Sequence, residues 1–258
     1  MTYLSETDFG GIRVHTFADR TTMGTVAAAD IAVALRTRLL DNGTVRIIFA
    51  AAPSQQETLA ALAAEPDIDW SRVTAFHMDE YVGLAEGAPQ RFASWLRQAI
   101  FNRLPFAQVH LIQPGADPVA TAKIYAALLA EAPIDLVCLG IGVNGHLAFN
   151  DPHVADFNDP QAVKVVTLDD VCRQQQVDDG CFAILADVPT QAITLTIPRL
   201  LDAAELFCVV PGAAKHNAVR NALYAPIDAI NPATSLRTHA NCALYLDRDS
   251  TPEALASA

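Results

Sequence analysis

Gly140-Ile141-Gly142-Val143-Asn144-Gly145-His146-Leu147-Ala148-Phe149-Asn150-Asp151-Pro152 is the stretch from which the fold can be read. It follows an apolar run, Ile134–Leu139, interrupted only by Asp135 and bounded by Pro133 and Gly140. A short, β-branched run of this kind reads as a buried parallel strand. The glycines at 140, 142 and 145 then let the backbone turn sharply at the carboxyl end of that strand, where open α/β sheets bind ligands. His146 comes directly after the last glycine, with Asp151 five residues further on. A carboxylate within reach of an imidazole fixes its tautomer and raises its basicity, which suits a proton shuttle. The spacing is equally that of a glycine-rich turn carrying a satisfied surface histidine.

Outward from this stretch, strand and helix patterns alternate. Strands are expected at Ile12–Phe17, Val45–Ala52, Val73–Met78, Val109–Ile112, Val163–Leu168, Ala192–Ile197, Leu206–Val210 and Cys242–Leu246. Helices are expected at Thr21–Leu40, Pro53–Leu62, Arg91–Arg103, Asp117–Glu131, Asp169–Val177 and Ala213–Tyr224. Asn42-Gly43 closes the first helix, and Ser54 is a plausible N-cap for the second. Such alternation predicts an α/β fold with a doubly wound, mostly parallel sheet flanked by helices. With no repeat, low-complexity tract or linker, the 258 residues are expected to form a single domain.

Composition narrows the function. The apolar fraction is 52% and the formal net charge −12. That charge disfavours nucleic acid and anionic membrane as partners, and an anionic substrate would need a local positive site. Five widely spaced cysteines indicate neither a zinc site nor a disulfide framework. The first twenty residues do not read as a signal peptide, and no apolar run approaches membrane-spanning length, so a cytoplasmic protein is expected.

Several predicted strands end in polar groups that a parallel sheet would bring to one edge: Ser54, Asp79, the 140–151 loop and Lys215. Asp79 is a candidate general base or a loop-ordering carboxylate. Glu80 is an alternative acid, since adjacent strand residues point opposite ways. Lys215 opens a helix, where a cation opposes the dipole unless an anion is bound there too. Ser54 and the amides of Gln55 and Gln56 could supply further donors.

Phe76-His77-Met78-Asp79-Glu80-Tyr81-Val82-Gly83-Leu84, taken with the 140–152 stretch, resembles the glucosamine-6-phosphate deaminase (isomerase) family, which is related to the 6-phosphogluconolactonases. The resemblance implies a modified Rossmann-like sheet, no metal, no organic cofactor, frequent homo-oligomers and a small sugar phosphate as substrate. By position, Asp79 matches the acid that moves a proton between C2 and C1, and His146 the histidine that assists ring opening. Asp151 stands where the family usually has the Glu that orients that histidine, and Asn144 where it usually has an Asp. Lys215 matches the phosphate-binding lysine, and Ser54 lies in the phosphate loop with Gln55. Gly145 and Glu80 complete the expected substrate-binding set. The departures are Asn144, which removes a charge beside His146, the shorter Asp151, and the loop Ala50-Ala51-Ala52-Pro53, in which Pro53 lacks an N–H. No arginine is in register after the central motif; Arg173 lies several residues off. The implied activity is isomerisation with deamination of an amino-sugar phosphate, glucosamine 6-phosphate by default. Lactone hydrolysis and non-catalytic sugar-phosphate binding are the alternatives.

Overall fold

The computed structural model describes residues 3–256. Its strands are β1 (Tyr3–Phe9), β2 (Ile12–Phe17), β3 (Val45–Phe49), β4 (Val73–His77), β5 (Asp79–Tyr81), β6 (Gln108–His110), β7 (Leu136–Leu139), β8 (Val163–Thr167), β9 (Gln191–Leu195), β10 (Glu205–Val210) and β11 (Cys242–Asp247). Eight of them form one sheet in the order β1-β2-β11-β10-β7-β3-β4-β6. All neighbours in it are parallel except β1 and β2. From β3 the chain winds outward through β4 and β6, then returns to β7 on the other side and winds outward through β10 and β11. The order therefore reverses between β3 and β7, the place where open α/β sheets form a crevice.

The central strands are apolar because both their faces are covered. No residue of β7 is more than 1% exposed. Ile47, Phe49, Leu136 and Cys138 pack into one core with the helix Arg20–Asn42, whereas Ile48, Val137 and Leu139 pack into the other with Tyr125 and Leu129 of the helix Pro118–Ala130. The helix Arg20–Asn42 starts where Asp19 accepts the Thr22 N–H at 2.8 Å and stops at Gly43, whose φ is 81°. At Gly24 it meets the backbone of the helix Gln56–Leu62 so closely that a Cβ would lie 2.7 Å from Glu57 Cβ. Arg20 adds an ion pair to Glu57 at 2.7 Å and a hydrogen bond to the Pro53 carbonyl. These contacts fix the loop that follows β3.

Four expectations are corrected. First, β5, β9 and β8 leave the main sheet and form a separate three-stranded antiparallel sheet. The alternation along the chain conceals this, because which sheet a strand joins depends on partners far away in sequence. Second, β1 precedes the expected first strand and pairs with it; its polar, partly exposed residues carry no apolar run. Third, the Arg91–Arg103 segment is an α-helix only over Phe92–Leu96 and continues as a π-helical turn over Arg97–Phe101. Fourth, Ser54 caps nothing: a 3-10 turn Pro53–Gln55 precedes the helix, and neither start has a side-chain cap. Among the described residues no helix is long and apolar enough to cross a membrane.

Candidate active site

At the carboxyl edge, over the β3–β7 reversal, lies a small pocket, placed where open α/β sheets bind ligands. It is lined by Ser54 and Gln55 after β3, Asp79 after β4, Gly142 and His146 after β7, and Lys215 after β10. Polar groups from four predicted strand ends thus meet in one cavity.

His146 is held from behind. Its Nδ1 lies 2.8 Å from Asn144 Oδ1 and 3.1 Å from Asp151 Oδ1. Asn144 Nδ2 donates to Asp151 Oδ1 at 3.1 Å and to Asp169 Oδ2 at 3.3 Å. Carboxylates only accept, so the Asn144 amide must point its NH2 at them and its oxygen at His146. With acceptors around Nδ1, the neutral imidazole carries its proton there, and Nε2 keeps a free lone pair. Nε2 lies over Gly142, where a Cβ would come within 2.1 Å of it. Only glycine leaves room for this ring. Asp151 is fully buried. Burial opposes its charge, but His146, Asn144 and the Asp169 N–H outweigh that and hold its carboxyl below the ordinary range. The shorter carboxylate therefore reaches the imidazole.

The loop is pinned on its far side. Asn150 Nδ2 donates to the Leu147 and Leu195 carbonyls, both at 2.8 Å, and Phe149 N–H donates to Thr194 Oγ1 at 3.0 Å. These bonds hold Ala148 at φ 50°, a left-handed conformation that costs an alanine free energy. Gly145 is needed for its own φ of 86°, but it faces Asn231 and Pro232 and does not line the pocket. Its N–H donates to the Gly142 carbonyl and its carbonyl accepts from Ala233 N–H. The expectation that it touches substrate is corrected.

Asp79 lines the pocket at 6% exposure and has no hydrogen bond or ion pair among the described residues. Burial, and then the neighbouring Glu80 charge, push its carboxyl well above the ordinary range. Glu80 points the other way. It accepts the N–H groups of Tyr81, Phe92 and Ala93 at 3.0–3.1 Å and faces Arg91 Nε at 3.4 Å. Glu80 anchors the start of the helix Phe92–Leu96 and is not part of the pocket, which corrects its place in the substrate-binding set.

The opposite end suits an anion. Lys215 is 7% exposed, and its ammonium has no hydrogen bond or ion pair among the described residues. Burial lowers its pKa, with Asp179 and Cys172 acting in the opposite sense. Gln55 is spent inward, donating to the Val209 carbonyl at 3.1 Å and to Ser54 Oγ at 3.2 Å. The pocket is completed by Gln175 and Gln176, which sequence reasoning missed. Gln175 Oε1 accepts the Val143 N–H at 2.9 Å. A signal was present: Cys172, Gln175 and Gln176 are the buried residues of the helix Asp170–Asp178, spaced i, i+3, i+4. Arg173 lies on another side and binds the Leu185 and Val188 carbonyls and Asp170.

His146, Asp151 and Cys172 bring one donor atom each within 4.8 Å of one another, as do Asp151, His153 and Asp169. In the first group the imidazole proton and the carboxylate are already engaged with each other, so the geometry is that of a hydrogen-bonded cluster. The pocket as a whole offers a buried unpartnered carboxylate, an imidazole with a free lone pair, and a cation. Together these can move protons on a small anionic substrate.

Comparison with known proteins agrees with this chemistry. The family profile described as "Glucosamine-6-phosphate isomerases/6-phosphogluconolactonase" matches residues 18–244. A glucosamine-6-phosphate deaminase of Listeria monocytogenes serotype 4a is 30% identical over 231 residues, covering 89% of this chain and 97% of the relative. One of Streptococcus pneumoniae serotype 4 is 32% identical, covering 87% and 94%. Among solved structures, a glucosamine-6-phosphate deaminase described as monomeric superposes with a TM-score of 0.84 at 24% identity, covering 92% of this chain and 98% of that one. A 6-phosphogluconolactonase from Thermotoga maritima gives 0.75 at 17% identity, covering 91% and 99%; both likenesses establish the fold.

Proposed function

Because the chain belongs to the glucosamine-6-phosphate isomerase/6-phosphogluconolactonase family, we propose that it converts glucosamine 6-phosphate to fructose 6-phosphate and ammonia, the whole chain acting as one catalytic domain. His146 Nε2 accepts the proton of the anomeric C1 hydroxyl as the C1–O5 bond breaks, and the imidazolium, stabilised by Asp151, delivers that proton to O5. Asp79 takes the C2 proton of the open-chain aldehyde, giving an enol-type intermediate, and returns it at C1. This leaves an imine at C2. Water adds there and ammonia departs. Lys215 and Ser54 hold the phosphate, with Gln176 beside them in the pocket. The five cysteines are unpaired thiols, and the substrate is charged, which supports a cytoplasmic setting.

The observation that carries this reading is Asp79: buried, unpartnered, and raised toward the range in which a carboxylate serves as a base. Lactone hydrolysis needs only an imidazole to activate water and gives such a carboxylate nothing to do. The test is a direct comparison of ammonia release from glucosamine 6-phosphate, ammonia release from glucosamine, and hydrolysis of 6-phosphogluconolactone. Ammonia from the phosphorylated sugar alone is the expected result. Lactone hydrolysis without ammonia would transfer the chain to the lactonase branch, and tight binding with neither would make it a sugar-phosphate-binding regulator.

A further inference from the structure

We propose that Asp169 is a positioning residue for His146, acting through the Asn144 amide. The inference deepens the deaminase reading and rests on it for its effect on turnover, though not for its effect on the imidazole.

The Asn144 amide has two donors and one oxygen able to accept twice, and all four are used. The oxygen accepts from His146 N–H at 3.1 Å and from Nδ1 at 2.8 Å; the nitrogen donates to Asp151 and Asp169. Asp151 binds both Asn144 and the imidazole. The Asp169 carboxylate binds only Asn144 in this network, so its hydrogen-bonded route to the ring passes through the amide. The two Asp169 oxygens divide their work. Oδ1 caps the helix Asp170–Asp178 by accepting the Cys172 N–H at 2.6 Å, and Oδ2 faces Asn144. The Asp169 N–H also lies 3.4 Å from Asp151 Oδ2.

Turning the amide over would set its oxygen against two carboxylates and its NH2 against Nδ1. The imidazole proton would then move to Nε2, and a base aimed into the pocket would become a donor. Asp169 opposes that flip and adds a second negative charge behind the ring. The other titratable groups near this network are the Cys172 thiol, His153 at 4.0 Å from Asp169 Oδ2, and the Asp170–Arg173 pair on the same helix. Asp79 and Lys215 line the pocket in front.

Asp169→Asn separates the two tasks. Its oxygen can still cap the helix, but its NH2 meets that of Asn144, donor against donor. The protein is titrated without substrate, and the His146 resonances are followed by 15N NMR, assigned with a His146→Gln reference. Wild type is expected to carry its neutral proton on Nδ1. Asp169→Asn is expected to populate the Nε2–H tautomer, because the amide is no longer held with its oxygen toward Nδ1. Thermal stability should be nearly unchanged, and ammonia release should fall about tenfold, at the low end of what impaired general-base catalysis gives. Asn144→Asp alone crowds three carboxylates and should also impair. Asn144→Asp combined with Asp169→Asn restores an acceptor to Nδ1 and returns the carboxylate count to two, so tautomer and turnover should recover. An unchanged tautomer in Asp169→Asn, or a double variant no better than the worse single one, would reduce Asp169 to a helix cap. No ammonia from wild type would overturn the reaction and leave the NMR result to judge this inference by itself.

Discussion

On one face of β5, Asp79 lines the pocket and has no partner among the described residues. On the other, Glu80 is fully buried, receives three backbone N–H groups and lies beside Arg91. The two carboxylates are consecutive in sequence and similar in burial, yet one is left unsatisfied and the other saturated. Burial raises the pKa of both carboxylates, at Glu80 against the opposing pull of its N–H donors and Arg91. Only Asp79 has oxygens left free to take a substrate proton, whereas those of Glu80 are occupied as a structural anchor. The contrast assigns proton transfer to Asp79 and local folding to Glu80, although their chemical type is the same.

The largest expected effect is on chemistry. Asp79→Asn should lower ammonia release by ~10²–10⁴-fold, the usual loss of a general base, while a phosphorylated substrate analogue still binds. Exchange of the C2 hydrogen with solvent should disappear with it. Persistent exchange would break the contrast and move the base elsewhere.

Next comes Glu80. Glu80→Ala leaves a buried guanidinium and three N–H groups without their acceptor, which should cost ~3–5 kcal/mol in urea unfolding. A variant as stable as wild type but inactive would mean that the two roles have been assigned the wrong way round.

Lys215 extends the same rule to a cation, since a buried charge without a protein partner is waiting for a ligand. Lys215→Ala should raise KM far more than it lowers kcat, by ~1.5–3 kcal/mol of lost binding. Inorganic phosphate should also become a weaker competitor. If KM for the phosphorylated sugar does not move, the anion site lies elsewhere.

The smallest effect sharpens the comparison through stability. The folded-state pKa of Asp79 is raised, so above the unfolded value of ~4 the native protein holds a proton that the unfolded chain has released. Stability contributed at this position therefore falls as pH rises from about 4 through the folded pKa. Asp79→Asn removes that slope and should melt a little higher than wild type at pH 7, with the difference vanishing near pH 4. Asp151 has the opposite sign: its lowered pKa contributes stability above the unfolded value that is lost as pH falls through the folded one. A lower Tm for Asp79→Asn at pH 7 would mean that Asp79 has a stabilising partner after all.

By itself the sequence determined the periodicities and the positions of the polar strand ends. Apolar runs such as Ile134–Leu139 mark strands because a strand covered on both faces has no polar side, and residues just beyond such runs must reach one edge of a parallel sheet. Ser54, Asp79, His146 and Lys215 were legible on those grounds. Tertiary structure alone decided which side each residue faces and what it meets. Glu80 turns inward because β5 pairs with β9, more than a hundred residues away. Gly145 turns toward Asn231 and Pro232 because the central loop packs on that segment. Asp169, an ordinary helix cap in sequence, joins the His146 network because its helix starts beside Asn144. Local pattern fixes backbone period and burial; hydrogen-bond partners are set by long-range packing, which no local spacing encodes.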